Sequence, residues 1–345
     1  MIARRPPTVA AALAVCLLLA GAGGAAAERT HLLVISGLGG DPKYESAFLE
    51  SALEIRSAAL AAGLADGQVT VLTESPASSA SVDGRSDRET VQQRLGELVS
   101  QSSAGDTVWV VLIGHGNFRD GLSKVNLPGP DLSDQDFDAL LERLEGRRIV
   151  FVNTTSASGE FLRTLAGPDR VVITATKSAA QRNETLFGGF FADAFVGARA
   201  DEDRDGRVSA VEAFRYAARE VARHYENENL LVTEQALLDD NGDGAGSAEP
   251  DVLGGPDGTA DGALAGRLYL AASLQASSDD PEVAALQQRR GELRRQLEQL
   301  RRQKGSMPDA LYLEELQRVL VEIAKLDREL RQREGDAAGP TGESR

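Results

Sequence analysis

Five short apolar segments, each followed by an amphipathic stretch, constrain this chain more than any other feature. They read "HLLVIS" (31–36), "QVTVLT" (68–73), "DTVWVVLI" (106–113), "RRIVFV" (147–152) and "RVVITAT" (170–176). The third is apolar throughout and rich in β-branched residues, as a strand covered on both faces must be. Between them lie helical periodicities: Tyr44, Phe48, Ile55 and Ala59; then Val91, Leu95 and Leu98 behind the capping box Ser86-x-x-Glu89; then Phe137, Leu140, Leu141 and Leu144 between an N-cap at Ser133 and a stop at Gly146. Strands alternating with helices predict an α/β fold, a mostly parallel sheet with helices on both faces. Its reactive groups belong at the carboxyl ends of the strands, where the loops leave. "RLYLAASL" (267–274) reads as a further strand after a Gly/Asp-rich loop.

The two ends of the chain read differently. Arg4 and Arg5 precede the apolar stretch "TVAAALAVCLLLAGAG", and Ala25 to Ala27 offers small residues for cleavage. Residues 1–27 are therefore expected to be a signal peptide, with a membrane anchor as the alternative, and the protein to be exported to a periplasmic or extracellular space. The one cysteine, Cys16, falls in this segment, so the mature chain has no disulfide, thiolate metal site or thiol nucleophile. Losing two Arg leaves 35 − 53 = −18 charges, which argues against nucleic acid and anionic membranes and is compatible with cations. From 280 to 334 strand signals vanish. Leu286, Leu293, Leu297 and Leu300, then Leu313, Leu316, Leu320, Ile323 and Leu330, step at heptad-like intervals on either side of "KGSMPD". A helical hairpin or coiled coil is expected there, serving self-packing or docking, and a disordered tail over 335–345.

His115 lies between two glycines, in "VLIGHGNF", at the end of the third strand. It is either a histidine tolerated in a turn or a base at the sheet edge, with a neighbouring backbone N–H free to face an oxyanion. The fourth strand runs into "NTTSASG", small and hydroxyl residues that contribute little to a core. Consecutive strands are usually neighbours, so Ser156 is expected near His115, where a base could activate its hydroxyl.

At Gly114-His115-Gly116 and Thr155-Ser156-Ala157-Ser158-Gly159 the chain resembles the caspase-like cysteine peptidases, closest to the legumain branch. Those enzymes carry His-Gly after the third strand and a small-residue-Cys-x-Ser-Gly run after the fourth. "ITATKSAAQRNETLFGGFF" is similar to their next segment, which flanks the specificity pocket. The resemblance covers about residues 30 to 275 and implies a caspase-like three-layer sandwich. It implies His115 as base, the backbone of Gly116 as an oxyanion donor, and Ser156 at the nucleophile position. A serine hydroxyl is a far weaker acid than a thiol, so a site shaped for a thiolate should lose most of its activity with serine. The expectation is a pseudo-peptidase that binds a peptide or protein. The alternatives are a hydrolase using a Ser156–His115 dyad and a structural envelope protein acting through its coiled coil.

"DEDRDGRVSAVE" (201–212) fits the EF-hand loop. Asp201, Asp203 and Asp205 stand at positions 1, 3 and 5, and Gly206 at the turn. Arg207 supplies a backbone carbonyl, Ser209 stands at 9, and Glu212 closes the loop at 12. Helical patterns flank it, so one Ca²⁺ is expected, a chance acidic turn being the alternative. A weaker run, "DDNGDGAGSAEPD", places Asp239, Asn241 and Asp243 in the opening spacing, but position 12 is Pro250. Glu249 or Asp251 would have to close it, unless it is a polar linker.

Overall fold

All five expected strands form, and each is wider or narrower than its sequence segment by no more than two residues. The computed structural model describes residues 28–253, 255, 259–270 and 307–337, together with 282–283, 285–286, 289–290, 293, 296–297 and 300. The expected signal peptide (1–27), residues 271–274 and the tail beyond 337 lie outside the described residues. Strands β1 (Thr30–Ser36), β2 (Val69–Thr73), β3 (Gly84–Arg85), β4 (Thr107–Ile113), β8 (Arg148–Asn153), β9 (Arg170–Thr174) and β10 (Leu237–Asp239) make one sheet. Its order is β10-β9-β8-β4-β1-β2-β3, and every pair is parallel except β10 with β9. A second, antiparallel sheet joins β5 (Gly116–Arg119), β6 (Leu122–Val125) and β7 (Leu132–Ser133).

Alternation along the strands builds three layers, because successive side chains leave opposite faces. Leu32, Val34, Trp109, Val111, Val150, Val152, Val171 and Ile173 pack on one side, with α1 (Pro42–Ala61), α5 (Phe187–Asp193) and α6 (Ala210–Asn227). Leu33, Ile35, Val108, Val110, Leu112, Ile149, Phe151 and Val172 pack on the other, with α2 (Arg88–Gln101), α3 (Asp134–Leu141) and α4 (Glu160–Leu165). The fold is thus a mixed, mostly parallel sheet flanked by helices, the α/β sandwich expected. Ser133 caps α3 in a reciprocal box with Asp136.

Two local expectations in this sheet-and-helix frame are corrected. Ser86 does not cap α2; Asp87 does, accepting from the Thr90 N–H. The Ser86 N–H donates to the Thr73 carbonyl, which ties Ser86 to the end of β2, and its buried hydroxyl reaches no helix N–H. Among the described residues of 267–274 no further sheet strand forms. The last sheet edge belongs to β10, and Tyr269 makes only an isolated bridge to Ser209. Leu268 and Leu270 are buried in the first core layer instead.

The C-terminal helix α7 (Asp309–Ala337) runs three residues into the expected tail. Its seam differs from the leucine pattern. Tyr312, Val319, Ile323 and Leu330 are buried, whereas Leu313 and Leu320 are exposed. Leu293 and Leu297 pack against Val319 and Ile323, so the two leucine-rich runs close on each other. Among the described residues no helix is long and apolar enough to cross a membrane.

Candidate functional site

β4 and β8 pair in register from Thr107–Arg148 to Leu112–Asn153, so the chain leaves both strands side by side at their carboxyl ends. Gly114 (φ 150°) leads out of β4, and a Cβ there would sit 3.3 Å from the Gly37 backbone. His115 follows. Its carbonyl accepts from the Asn126 N–H (3.0 Å), and its ring stands edge-on to Tyr44 (4.7 Å between centroids) and Phe48 (5.1 Å). Tyr44 donates to the Glu184 carboxylate (2.8 Å), which raises the phenol above its ordinary pKa. Of the helix's expected core face, Ile55 and Ala59 are buried and Phe48 packs against the same core, while Tyr44 is a half-buried partner of the candidate base, which Phe48 also touches. Their place in the first turns of a helix that starts at the sheet's carboxyl edge was the available signal.

Ser156 lies on the turn after β8 and is 4% exposed. Its hydroxyl donates to the Gly116 carbonyl (2.9 Å) and accepts from the Gly116 N–H (3.1 Å). No hydrogen bond joins it to the His115 imidazole among the described residues. An activated nucleophile needs its proton directed at a base within roughly 2.6–3.2 Å. Here the proton points at a carbonyl, and the N–H that could serve an oxyanion is occupied by the hydroxyl itself.

The rest of the turn is tied down equally closely. Ala157 has φ 53°, a left-handed conformation that costs an alanine about 1 kcal/mol or more. Its N–H donates to the Gln181 carbonyl (2.7 Å) and its carbonyl accepts from Ser123 Oγ. Thr176 Oγ1 holds both Ser158 Oγ and the Gly159 N–H at 3.1 Å. Gly159 passes so close to Lys177 and Ser178 that a Cβ would collide with their backbone. Beyond Gly116, a pocket of about 390 Å³ is lined by Asn117, Phe118, Arg119, Lys124 and Asp131. It is lined by charges of both signs.

In the acidic loop, Asp201, Asp203 and Asp205 bring carboxylate oxygens within 4.8 Å of one another. The Asp201 carboxylate accepts from the Asp205 and Gly206 N–H groups (2.9 Å each), and Gly206 turns the chain at φ 82°. Glu212 reaches back from the first turn of α6. It accepts from Ser209 N–H (2.9 Å) and Oγ (2.7 Å) and from the Glu202 N–H (3.0 Å). Burial pushes the Glu212 carboxyl up, against these hydrogen bonds, and the Asp201 charge adds to the rise. The Arg207 side chain, expected to contribute only its backbone carbonyl, pairs with Asp205 (2.6 Å) and lies over the Tyr269 ring (3.7 Å). The donors are all oxygen, four of them carboxylates, so the set suits a hard cation, provided Arg207 yields Asp205 Oδ2.

The second acidic run leaves the end of β10. Asp239 is buried at the end of β10, while Asn241 and Asp243 are exposed. Of the two proposed closing residues, Glu249 is exposed, and Asp251 Oδ1 accepts from the Leu253 N–H (2.9 Å) while its own N–H donates to the Asp261 carbonyl (2.6 Å). Asp261 is brought there instead, accepting from the Asp240 (3.0 Å) and Asn241 (3.3 Å) N–H groups. No local spacing could have marked it.

No family model and no curated protein matches the sequence. Among solved structures the chain is similar to the Drosophila initiator caspase Dronc, at 15% identity and a TM-score of 0.40, over 61% of this chain and 78% of that one. It is also similar to drICE, at 10% identity and a TM-score of 0.37, over 58% of this chain and 85% of that one.

Proposed function

We propose that this protein is an exported relative of the caspase-like peptidases, of the legumain pattern, that holds a peptide or protein segment without cutting it. The observation that carries the reading is the Ser156 hydroxyl. It is buried and committed in both directions to Gly116, so its proton is directed at a carbonyl and it fills the Gly116 N–H beside His115. His-Gly and Ser-x-Ser-Gly at the ends of adjacent parallel strands support the peptidase ancestry. The His115, Tyr44 and Phe48 surface and the pocket beyond Gly116 offer aromatic and charged contacts to an extended peptide. The N-terminal apolar segment supports export.

Calcium belongs to this reading as a structural ligand of Asp201, Asp203, Asp205, Ser209, Glu212 and the Arg207 carbonyl. Bound there, Ca²⁺ would draw the loop's carboxylates to one centre and would brace the start of α6. A second reading, hydrolysis by a Ser156–His115 dyad, is favoured by the adjacency of β4 and β8; it requires Ser156 to leave Gly116 for the imidazole. The two part on a peptide library presented to the full chain with calcium. Binding without turnover is expected, and cleavage that disappears in Ser156→Ala would overturn the proposal.

A further inference from the structure

Asp239 ends β10 with its side chain almost wholly enclosed, 1% exposed. Its Oδ1 accepts from the Gly242 N–H (2.9 Å), whereas Oδ2 is buried and has no hydrogen-bond partner. A buried carboxylate oxygen without a donor forfeits its hydration and receives nothing in exchange. The charges around it have the same sign. Asp261, 6% exposed, is anchored over the same loop by the Asp240 and Asn241 N–H groups, and Asp243 lies within it. Among the described residues no Lys or Arg forms an ion pair with Asp239, Asp243 or Asp261.

We infer that Asp239, Asp243 and Asp261 form a second binding site for a hard divalent cation of the calcium class. Buried carboxylates of like sign persist when a counter-charge joins them, and none is supplied by the surrounding side chains. Asp239 Oδ2 is the inward ligand atom, since every other carboxylate oxygen named in this loop is in solvent or already holds a donor. The donors are oxygen only, which selects Ca²⁺ or Mg²⁺ over zinc or copper. Ca²⁺ accepts six to eight oxygens in loose geometry, so water and backbone carbonyls complete the shell. Asp240 is a structural partner and not a ligand. Its carboxylate is filled by the Gly262, Leu264 and Ala265 N–H groups (2.7–2.8 Å) and ties the 3-10 turn at Ala265–Arg267 to the end of β10. A cation between Asp239 and Asp261 therefore clamps the antiparallel edge strand to that turn. The site shares no residue with the 201–212 loop and stands or falls separately from it.

The test is calcium titration calorimetry on the full chain at pH 7.5 after chelator treatment. The proteins are wild type, Glu212→Gln, Asp261→Asn and the double variant. The expected stoichiometries are two ions, one, one and none. Wild-type stoichiometry and affinity in Asp261→Asn overturn the second site, and so does a Glu212→Gln protein that binds nothing. Should Glu212→Gln still bind two ions, the 201–212 loop reading fails, and Asp261→Asn continues to report on this one. Asn at 261 keeps an oxygen for the Asp240 and Asn241 N–H groups. Where Asp261→Asn fails to fold, Asp243→Asn, at an exposed position, decides: one of two affinities falls at least tenfold, and unchanged affinities refute the site.

Discussion

Replacing Ser156 with alanine separates a structural hydroxyl from a catalytic one. The Oγ makes two hydrogen bonds, at 2.9 and 3.1 Å, both to the backbone of Gly116, from a residue that is 4% exposed. A net hydrogen bond contributes about 0.5–1.5 kcal/mol, and a buried group left without its partner costs about 1–3 kcal/mol. Ser156→Ala is therefore expected to lose about 2 kcal/mol. For a domain of this size that is roughly 4–8 °C in Tm. Urea unfolding followed by circular dichroism measures it, with an unchanged slope showing that the unfolded state is the same. His115→Ala supplies the second leg of a double-mutant cycle. Since no hydrogen bond joins the two side chains, the losses should add within about 0.5 kcal/mol. A neutral Ser156→Ala, below about 0.5 kcal/mol, would refute the brace. A coupling above about 1 kcal/mol would place the hydroxyl on the imidazole in solution.

Two further perturbations test the frame around the site. His31 is buried 3.7 Å from Asp106, and burial pulls it below its ordinary value of 6.5 against the opposing pull of the Asp106 charge. The unfolded chain then takes up a proton first as pH falls through 6.5, so wild type loses stability from there downward. His31→Leu should flatten that limb in Tm scans between pH 7.5 and 5; an identical slope contradicts the assignment. Phe161 stacks on Phe151 (5.8 Å) and tilts against Phe137 (6.0 Å) beneath the Ser156 turn. Phe161→Ala should cost about 3–5 kcal/mol in denaturant unfolding, and a loss under 1 kcal/mol would show that this cluster does not hold α4.

How far the sequence could be read depended on the range of the interaction. The central strands carry unbroken β-branched runs because both faces are covered, so they and their order toward the carboxyl edge were legible. Ser133 was legible as a cap because a box is closed within four residues. Ser86 was not, because its N–H is taken by Thr73 from another strand. β10 is three residues long, "LLD", too short to show a period, and its place depends on pairing with β9. His115 and Ser156 could be placed on adjacent strand ends, yet the direction of one hydroxyl proton could not. Asp261 reaches the Asp239 loop through the fold alone. On α7 the leucines suggested one seam, and packing chose another through Tyr312 and Val319, leaving Leu313 and Leu320 outside.

The central claim is that Ser156 braces the turn and does not attack. Fluorophosphonate labelling of the full chain, calcium present, read by intact mass and peptide mapping, addresses that hydroxyl alone. The account predicts an unmodified Ser156 after prolonged exposure. An adduct mapped to Ser156, and lost in His115→Ala, would contradict it.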